Sequence, residues 1–212
     1  YWGKPIYNLI ASPFAQFGIK GMVILNILCL IGCSYLVSKT ANLIHLKNSW
    51  LAFILTLLSP IFLDNTISSL TEPLCAFLVT LTIYFVVRKK LFIGALVAGL
   101  LPFARSEGFI ILGVVFIYFL IQKANWKIFL ALFAGSLFFN VLGWIFTSEP
   151  LWIITQNPYI NFELSGRNVC GNGSLFHYFY AGHYTFGLIT CILLIIGVSV
   201  FLYHELKIRR NL

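Results

Sequence analysis

Carboxylates at the ends of apolar segments are the side chains of this sequence best placed for chemistry. Asp64 and Glu72 flank one short polar stretch between two such segments. Ionisable groups at membrane depth usually mark a functional site, and two carboxylates there could bind a metal ion or accept a proton. The alternative is structural. Thr71, Glu72 and Pro73 are typical of a capped first helical turn, where an acid suits the helix dipole and proline is accepted.

A second polar group comprises Arg105, Ser106 and Glu107. Arginine is suited to paired hydrogen bonds with phosphate, and a lipid phosphate would lie at this depth. We therefore interpret Arg105 as a phosphate-binding residue, with an ion pair to Glu107 or Glu72 as the alternative. Ser106 is expected to cap the helix that follows it.

The segment from residue 148 to residue 183 is the longest one without an apolar span, and it is rich in Asn, Gly and aromatic residues. Loops of this length are uncommon unless they are functional or disordered, and the aromatic content argues against disorder. The loop contributes Arg167 and His177 as candidate substrate contacts, although a single interfacial histidine is more often structural. The five cysteines have no metal-ligand spacing, so the cofactor stays unknown, with a divalent cation as the candidate.

Composition indicates that lipid surrounds most of this chain. The sequence is 60% hydrophobic and 9% charged, whereas soluble domains carry about 25% charged residues. We attribute the net charge of +8 to cytoplasmic loops rich in Lys and Arg and not to nucleic-acid binding. The sequence therefore predicts an integral, multi-pass membrane protein.

The predicted fold class is all-α, because a membrane span needs about 20 apolar residues in a helix. We predict a polytopic bundle of about seven transmembrane helices after an outer interfacial segment, residues 1–17. The bundle covers residues 18–204, with spans near 18–38, 46–63, 70–87, 90–104, 108–122, 126–147 and 184–204, and a basic cytoplasmic tail follows at 205–212. A single helix across residues 90–122 is disfavoured, since it would place Arg105 and Glu107 deep in the bilayer.

Loop charges predict the orientation of this bundle, because Lys and Arg near helix ends favour the cytoplasm. The inside then receives Lys39, Lys47, Arg88, Lys89, Lys90, Lys123, Lys127, Lys207, Arg209 and Arg210. The outside receives Asp64, Glu72, Glu107, Glu149 and Glu163. The acids thus gather on the face opposite most of the basic residues, with Arg105 among them.

The order of several short motifs resembles a known membrane enzyme family. The motifs are Trp2-Gly3-Lys4-Pro5-Ile6-Tyr7, Phe17-Gly18, Ser59-Pro60, the acids Asp64 and Glu72, Arg88-Lys89-Lys90, and a glycine-rich run from Gly94 to Gly99 that leads into Arg105-Ser106-Glu107-Gly108. In this order, over roughly residues 1–122, the chain is similar to polytopic glycosyltransferases of the glycosyltransferase C superfamily that use polyprenyl-phosphate sugars. That superfamily includes the protein O-mannosyltransferases and the lipid A aminoarabinose transferase.

The resemblance implies a reaction and roles for the candidate residues. A sugar on a lipid phosphate would pass to an acceptor hydroxyl of a glycan, lipid or protein on the outer face, with a carboxylate as base. Arg105 would contact the donor phosphate, while Asp64, Glu72 and Glu107 would shape the acceptor or metal site. In the family the key aspartate lies in the first outer loop. We therefore expect this chain to be a fragment that lacks the first helix, the first outer loop and the principal catalytic base.

Two other classes of function stay open at this stage. The first is a transporter or lipid flippase without covalent chemistry. Such proteins tend to place ionisable residues near the bilayer midplane in two matched repeats, whereas the charges here lie at helix ends and no second half resembles the first. The second is a structural membrane subunit, in which the same charges would serve assembly only.

Overall fold

The computed structural model describes residues 4–155, 188 and 191–200, and over these residues the chain forms helices and turns without a strand. The all-α class predicted from composition is confirmed for this part of the chain. Residues 1–3, most of the predicted outer loop with Arg167 and His177, and the predicted basic tail lie outside the described residues. The helices are α1 Pro5–Ala15, α2 Gly18–Leu43, α3 Ser49–Leu57, α4 Pro60–Ile67, α5 Glu72–Val87, α6 Leu91–Ala98, α7 Leu101–Ala104, α8 Gly108–Ile121, α9 Trp126–Thr147, α10 Trp152–Thr155 and α11 Cys191–Val200.

Four of the described helices have a proline in their first turn. Pro5, Pro60, Pro73 and Pro102 each occupy the first turn of a helix, where the missing N–H needs no partner and the fixed φ suits a helix. Helix α9 begins instead at a side-chain cap, since Asn125 Oδ1 accepts a backbone hydrogen bond of 3.1 Å from its first turn. Local sequence therefore sets these boundaries.

Two of the described helices, α2 and α9, are long and apolar enough to cross a membrane. The bent pair α3–α4 raises the number to three if it counts as one span. Helices α5 and α8, with 16 and 14 residues, are only about 24 Å and 21 Å long at 1.5 Å per residue. The hydrocarbon core is about 30 Å thick. The helices indicate association with a membrane, but the predicted seven spans are not confirmed.

The predicted span at residues 46–63 corresponds to two helices in the structure. The structure forms α3 and α4 there, bent by 47° at a short break, and the pair reaches Ile67. The break falls at Leu58 and Ser59, directly before Pro60. Proline disfavours a helical conformation in the residue before it and removes a backbone donor, so the helix stops and restarts in a new direction.

Helices α2 and α5 pack side by side and run in parallel. Asn26 Nδ2 donates to the carbonyl of Leu70, just before α5, at 2.9 Å. Further along both helices, Cys33 Sγ lies 3.0 Å from Thr80 Oγ1.

We call the end of the bundle at which α5 and α8 begin the acidic end. The basic end is the one at which α2 and α5 finish, near Lys39 and Arg88.

Helices α6 and α9 approach each other closely at two glycines. A Cβ atom on Gly99 would lie 2.5 Å from the carbonyl oxygen of Leu132, and one on Gly135 would collide with the backbone of Gly99. Small residues allow such backbone contact between apolar helices, where packing replaces the hydrophobic effect as the source of association. The buried residues Ala95, Ala98 and Leu132 surround this contact.

The outward faces of the helices are apolar. Phe146 on α9 is 83% exposed and Ile110 on α8 is 72% exposed. Only 17% of the most apolar window of α9 is buried within the described residues. Such faces are unfavourable in water and suit a lipid surrounding.

Candidate functional site

The chain brings Glu72 and Arg105 together at the acidic end through two tight turns. Helix α5 starts at Glu72 after a turn at residues 68–71, and α7 ends at Ala104 with Arg105 extended behind it. Gly108 opens α8 against the backbone of Leu101, where a Cβ atom would collide. A side chain at position 108 would therefore force α7 and α8 apart and displace Arg105.

The guanidinium of Arg105 binds both glutamates of this end. Its Nε donates to Glu107 Oε2 at 3.1 Å and its Nη2 to Glu107 Oε1 at 2.5 Å, while Nη1 forms an ion pair with Glu72 Oε1. The ion pairs join the start of α5 to the start of α8. The sequence left phosphate or a carboxylate as the partner of Arg105, and in the structure two carboxylates bind it.

Electrostatics at this site follow from these hydrogen bonds. The hydrogen bond from Arg105 lowers the pKa of Glu107 to about 2, and the positive charge of Lys4 contributes in the same direction. The hydrogen bond to Glu107 likewise raises the pKa of Arg105, so this group is cationic at every relevant pH. Lys4 and Arg105 thus offset the charges of Glu72 and Glu107.

Four buried side-chain atoms at the acidic end have no hydrogen-bond partner among the described residues. They are Asn26 Oδ1, Ser69 Oγ, Glu72 Oε2 and Ser106 Oγ. Buried polar atoms are hydrogen-bonded in the great majority of cases, because an unpaired one costs about 1–3 kcal/mol. A carboxylate oxygen and an amide oxygen accept hydrogen bonds only, and hydroxyls accept or donate. The set therefore comprises two groups that can only accept a hydrogen bond and two hydroxyls that can also donate one.

Asn26 is fully buried, and its orientation follows from its partner. The carbonyl of Leu70 requires a donor, so Nδ2 faces Leu70 and Oδ1 is the unpaired acceptor. Ser69, the residue before Leu70, has a positive φ of 56°, a conformation that costs energy for any residue with a side chain. Tyr7 Oη donates to the carbonyl of Ser69 at 3.4 Å, so α1 and α2 hold this turn from two sides.

Tyr7 is a further titratable side chain at this end. Burial raises the pKa of Tyr7, and electrostatic interactions with Cys29 and Glu72 add to the shift. The phenol therefore stays protonated near Glu72 and can donate a hydrogen bond at neutral pH.

Asp64 lies apart from the ion pairs. Its side chain is exposed in the last turn of α4, and the described residues offer it no ion pair. The prediction that Ser106 caps α8 is wrong, because Glu107 occupies the N-cap position and Ser106 Oγ has no partner in the described part. Thr71 does occupy the N-cap position of α5, but without a capping hydrogen bond from its side chain.

Sequence reasoning missed Lys4, Tyr7 and Asn26 as members of this site. Asn26 had a detectable signal, because it is an isolated amide in the otherwise apolar run MVILNILCL, and polar residues within a span are often functional. Lys4 and Tyr7 gave no such sequence signal beyond their place in the motif from Trp2 to Tyr7. Their place at the site depends on the packing of α1 against α2 and α7.

Within the described ranges, no three side chains of His, Cys, Asp or Glu lie close enough to hold a metal ion. The divalent cation named from the sequence stays a prediction. The chain matches no protein-family model, and no curated protein or solved structure matches it either. The resemblance to polyprenyl-phosphate glycosyltransferases therefore also stays a prediction.

Proposed function

We propose that this chain belongs to a membrane glycosyltransferase that moves a sugar from a polyprenyl-phosphate donor to a hydroxyl acceptor at the acidic end. The observation that carries the proposal is the state of Glu72. One of its oxygens pairs with Arg105, while the other is buried without a partner among the described residues. A carboxylate held in this way can accept a proton from an acceptor hydroxyl.

In the proposed reaction, the acceptor oxygen attacks the anomeric carbon of the donor sugar. A new C–O bond forms as the bond between that carbon and the phosphate oxygen breaks. The phosphate leaves with the electron pair, and the hydroxyl proton passes to Glu72 Oε2. Asn26, Ser69 and Ser106 would hold other hydroxyls of the sugar or the acceptor through their unpaired oxygens.

The leaving phosphate needs positive charge nearby. Arginine has five N–H donors. In Arg105, the Nε, Nη1 and Nη2 atoms each contact one glutamate oxygen, which uses three of the five. One N–H on each terminal nitrogen therefore stays available to a phosphate oxygen. Lys4, whose charge acts on Glu107, supplies the second cation. In this proposal Arg105 serves both to orient Glu72 and to contact the donor.

The proposal includes the seven-span topology with the acidic end outside and the basic loops and C-terminus in the cytoplasm. It also includes Arg167 and His177 as outer-loop contacts and leaves room for a divalent cation. The donor would be a lipid-linked sugar, and the acceptor a glycan, a lipid or a protein.

The test is sugar transfer by membranes that contain the full-length protein. We expect Glu72→Gln to reduce transfer at least about tenfold, since it removes the proton acceptor but keeps the size of the side chain. We expect Arg105→Ala to reduce transfer by at least about tenfold as well, through loss of phosphate stabilisation. Ser68→Ala, an exposed residue of the same turn, is the matched control and should transfer at the wild-type rate.

Unchanged transfer by both charge variants, with wild-type expression and thermal stability, would remove this site from the mechanism. Flux of a lipid-linked sugar through proteoliposomes without any covalent product would favour the transporter or flippase. Loss of assembly without any activity in the wild type would favour a structural subunit.

A further inference from the structure

A groove with two cations lies at the basic end, on the surface between α2 and α5. It has a volume of about 410 Å³, and its walls are formed by Tyr35, Lys39, Asn42, Leu43, Tyr84 and Arg88. The groove belongs to the opposite end of these helices from the site of Glu72. Sixteen residues of α5 separate the two ends, which is about 24 Å along the helix.

Two tyrosines hold the cations of this groove in place. Lys39 Nζ lies 5.2 Å from the centre of the Tyr35 ring, and the Arg88 guanidinium lies 5.6 Å from the centre of the Tyr84 ring. Arg88 Nη1 also donates to Tyr84 Oη at 3.0 Å. Contacts of cations with ring faces are attractive. Ordering these long side chains before a ligand arrives reduces the entropy cost of binding.

No carboxylate neutralises these cations among the described residues, where both ion pairs belong to Arg105. The C-termini of α2 and α5 contribute about −0.5 charge each. Lys39 and Arg88 contribute two positive charges, so an excess of about one positive charge stays in the groove. Exposed Lys89 and Lys90 lie next in the chain and add to it. The groove therefore attracts an anion.

The position of the groove along α2 matches the headgroup region of a membrane. Helix α2 has 26 residues and is about 39 Å long, longer than the hydrocarbon core of about 30 Å. The helix therefore extends beyond the hydrocarbon, and Lys39 near its end suits the headgroup region. Ile31, one turn before Tyr35 on the same face, is 45% exposed and apolar. The groove is thus polar and cationic at its mouth and apolar towards the hydrocarbon.

We infer that this groove binds the phosphate headgroup of an anionic phospholipid from the leaflet at the basic end. Lys39 and Arg88 would contact the phosphate oxygens, and the Asn42 amide would donate to the phosphate or to a glycerol oxygen. An acyl chain would lie along Ile31. The combination of cations with the adjoining apolar face favours a lipid over a soluble anion. The inference does not depend on the proposed enzymatic activity.

The experiment measures lipid retention by the full chain in mixed detergent micelles, with native mass spectrometry as the readout. We expect the wild type to retain phosphatidylglycerol at least about tenfold more strongly than phosphatidylcholine. The double variant Lys39→Gln/Arg88→Gln should lose at least about tenfold of the affinity for phosphatidylglycerol. Lys20→Gln is the control, because it removes one positive charge from an exposed position at the other end of α2, and it should retain wild-type binding.

A second variant keeps the test decisive if the double variant does not fold. Tyr84→Phe preserves every charge but removes the hydroxyl that holds Arg88, and it should weaken phosphatidylglycerol binding by roughly threefold. Equal retention of both lipids, or an equal loss in Lys20→Gln, would overturn the inference. So would competition by inorganic phosphate at the concentration of the lipid, since the groove would then bind a soluble anion.

Discussion

Glu107 is the carboxylate most completely bound by Arg105, because both of its oxygens accept a hydrogen bond from the same guanidinium. Its side chain is nevertheless 57% exposed, against 21% for Arg105. Solvent screens such a pair, so its contribution to stability is small even though the geometry is bidentate. Glu107 therefore serves mainly to fix the direction of Arg105, which in turn positions Glu72. A positioning role of this kind has a pH signature.

We expect Glu107→Gln to lower the free energy of unfolding by about 0.5–1 kcal/mol at neutral pH. The pKa of Glu107 falls from its ordinary value of 4.5 to about 2 in the folded protein. The unfolded state thus binds more protons between these values, and stability rises with pH there. The difference between wild type and variant should be constant above pH 4.5 and vanish as the pH falls to about 2.

The measurement is chemical unfolding of the detergent-solubilised protein from pH 2 to pH 7. Asp64→Asn is the control, since this exposed acid has no ion-pair partner in the described part of the chain. It should leave the unfolding free energy unchanged across the range. A difference for Glu107→Gln that grows towards acid pH would contradict the ion pair.

At the scale of the elements, the contact between α6 and α9 is the least tolerant of added volume. A Cβ atom on Gly135 would collide with the backbone carbonyl of Gly99, and backbone cannot move aside as a side chain can. We expect Gly135→Ala to destabilise the bundle by about 1–3 kcal/mol, the usual cost of overpacking. Thermal unfolding in one detergent provides the measurement.

Gly113 in α8 offers a matched control for this substitution. A Cβ atom there would meet nothing within 4 Å. Alanine favours a helix over glycine by about 1 kcal/mol, so Gly113→Ala should leave the protein as stable as the wild type or more so. Equal effects of the two substitutions would show that α6 and α9 do not touch at Gly135.

Helix ends were predictable where a residue marks them and were missed where only tertiary contacts do. The prediction that a helix starts at 108 and another at 126 agrees with α8 and α9, because Gly108 and Asn125 mark those starts. The predicted end at 38 falls short of Leu43, since hydropathy drops at Lys39 while the helix continues. The bend before Pro60 was missed, because hydropathy averages over a window and carries no direction.

The candidate site, like the helix ends, was predictable only where the sequence itself marks the residues. Charge placement singled out Glu72, Arg105 and Glu107, which lie at helix starts and have few alternatives in an apolar bundle. Asn26 and Lys4 were missed, because the approach of Asn26 to Leu70 and of Lys4 to Glu107 depends on how helices distant in sequence pack. Long-range packing is what single-sequence patterns do not encode.

At the scale of the whole molecule, the ion pairs constrain the path of the chain. Glu72 at the start of α5 contacts Arg105 at the end of α7, so residues 72–105 must run away from the acidic end and return to it. The two passes are about 24 Å and 21 Å long for the 16 residues of α5 and the 14 residues from Leu91 to Ala104. Each pass is shorter than the hydrocarbon core of about 30 Å.

Short passes can cross a membrane if the bilayer thins around them or if flanking Lys and Arg side chains extend to the headgroups. Arg88, Lys89 and Lys90 lie at the turn between the two passes and provide such flanking groups. The alternative is a re-entrant hairpin that enters and leaves on the acidic side. The two topologies differ in the membrane face on which Lys90 lies.

Cysteine labelling in intact cells decides between these topologies, and we expect it to support a full crossing. In a variant without native cysteines, Ser68→Cys at the acidic end and Lys90→Cys at the turn each offer one exposed position. A membrane-impermeant maleimide added outside should label position 68 and leave position 90 unlabelled until the membrane is opened. Crossing is favoured because three adjacent cations would be strongly disfavoured inside the hydrocarbon, whereas the cytoplasmic face attracts them. Labelling of position 90 from outside, or from neither side, would mean that α5 and α6 form a re-entrant hairpin and would reduce the proposed seven spans by two.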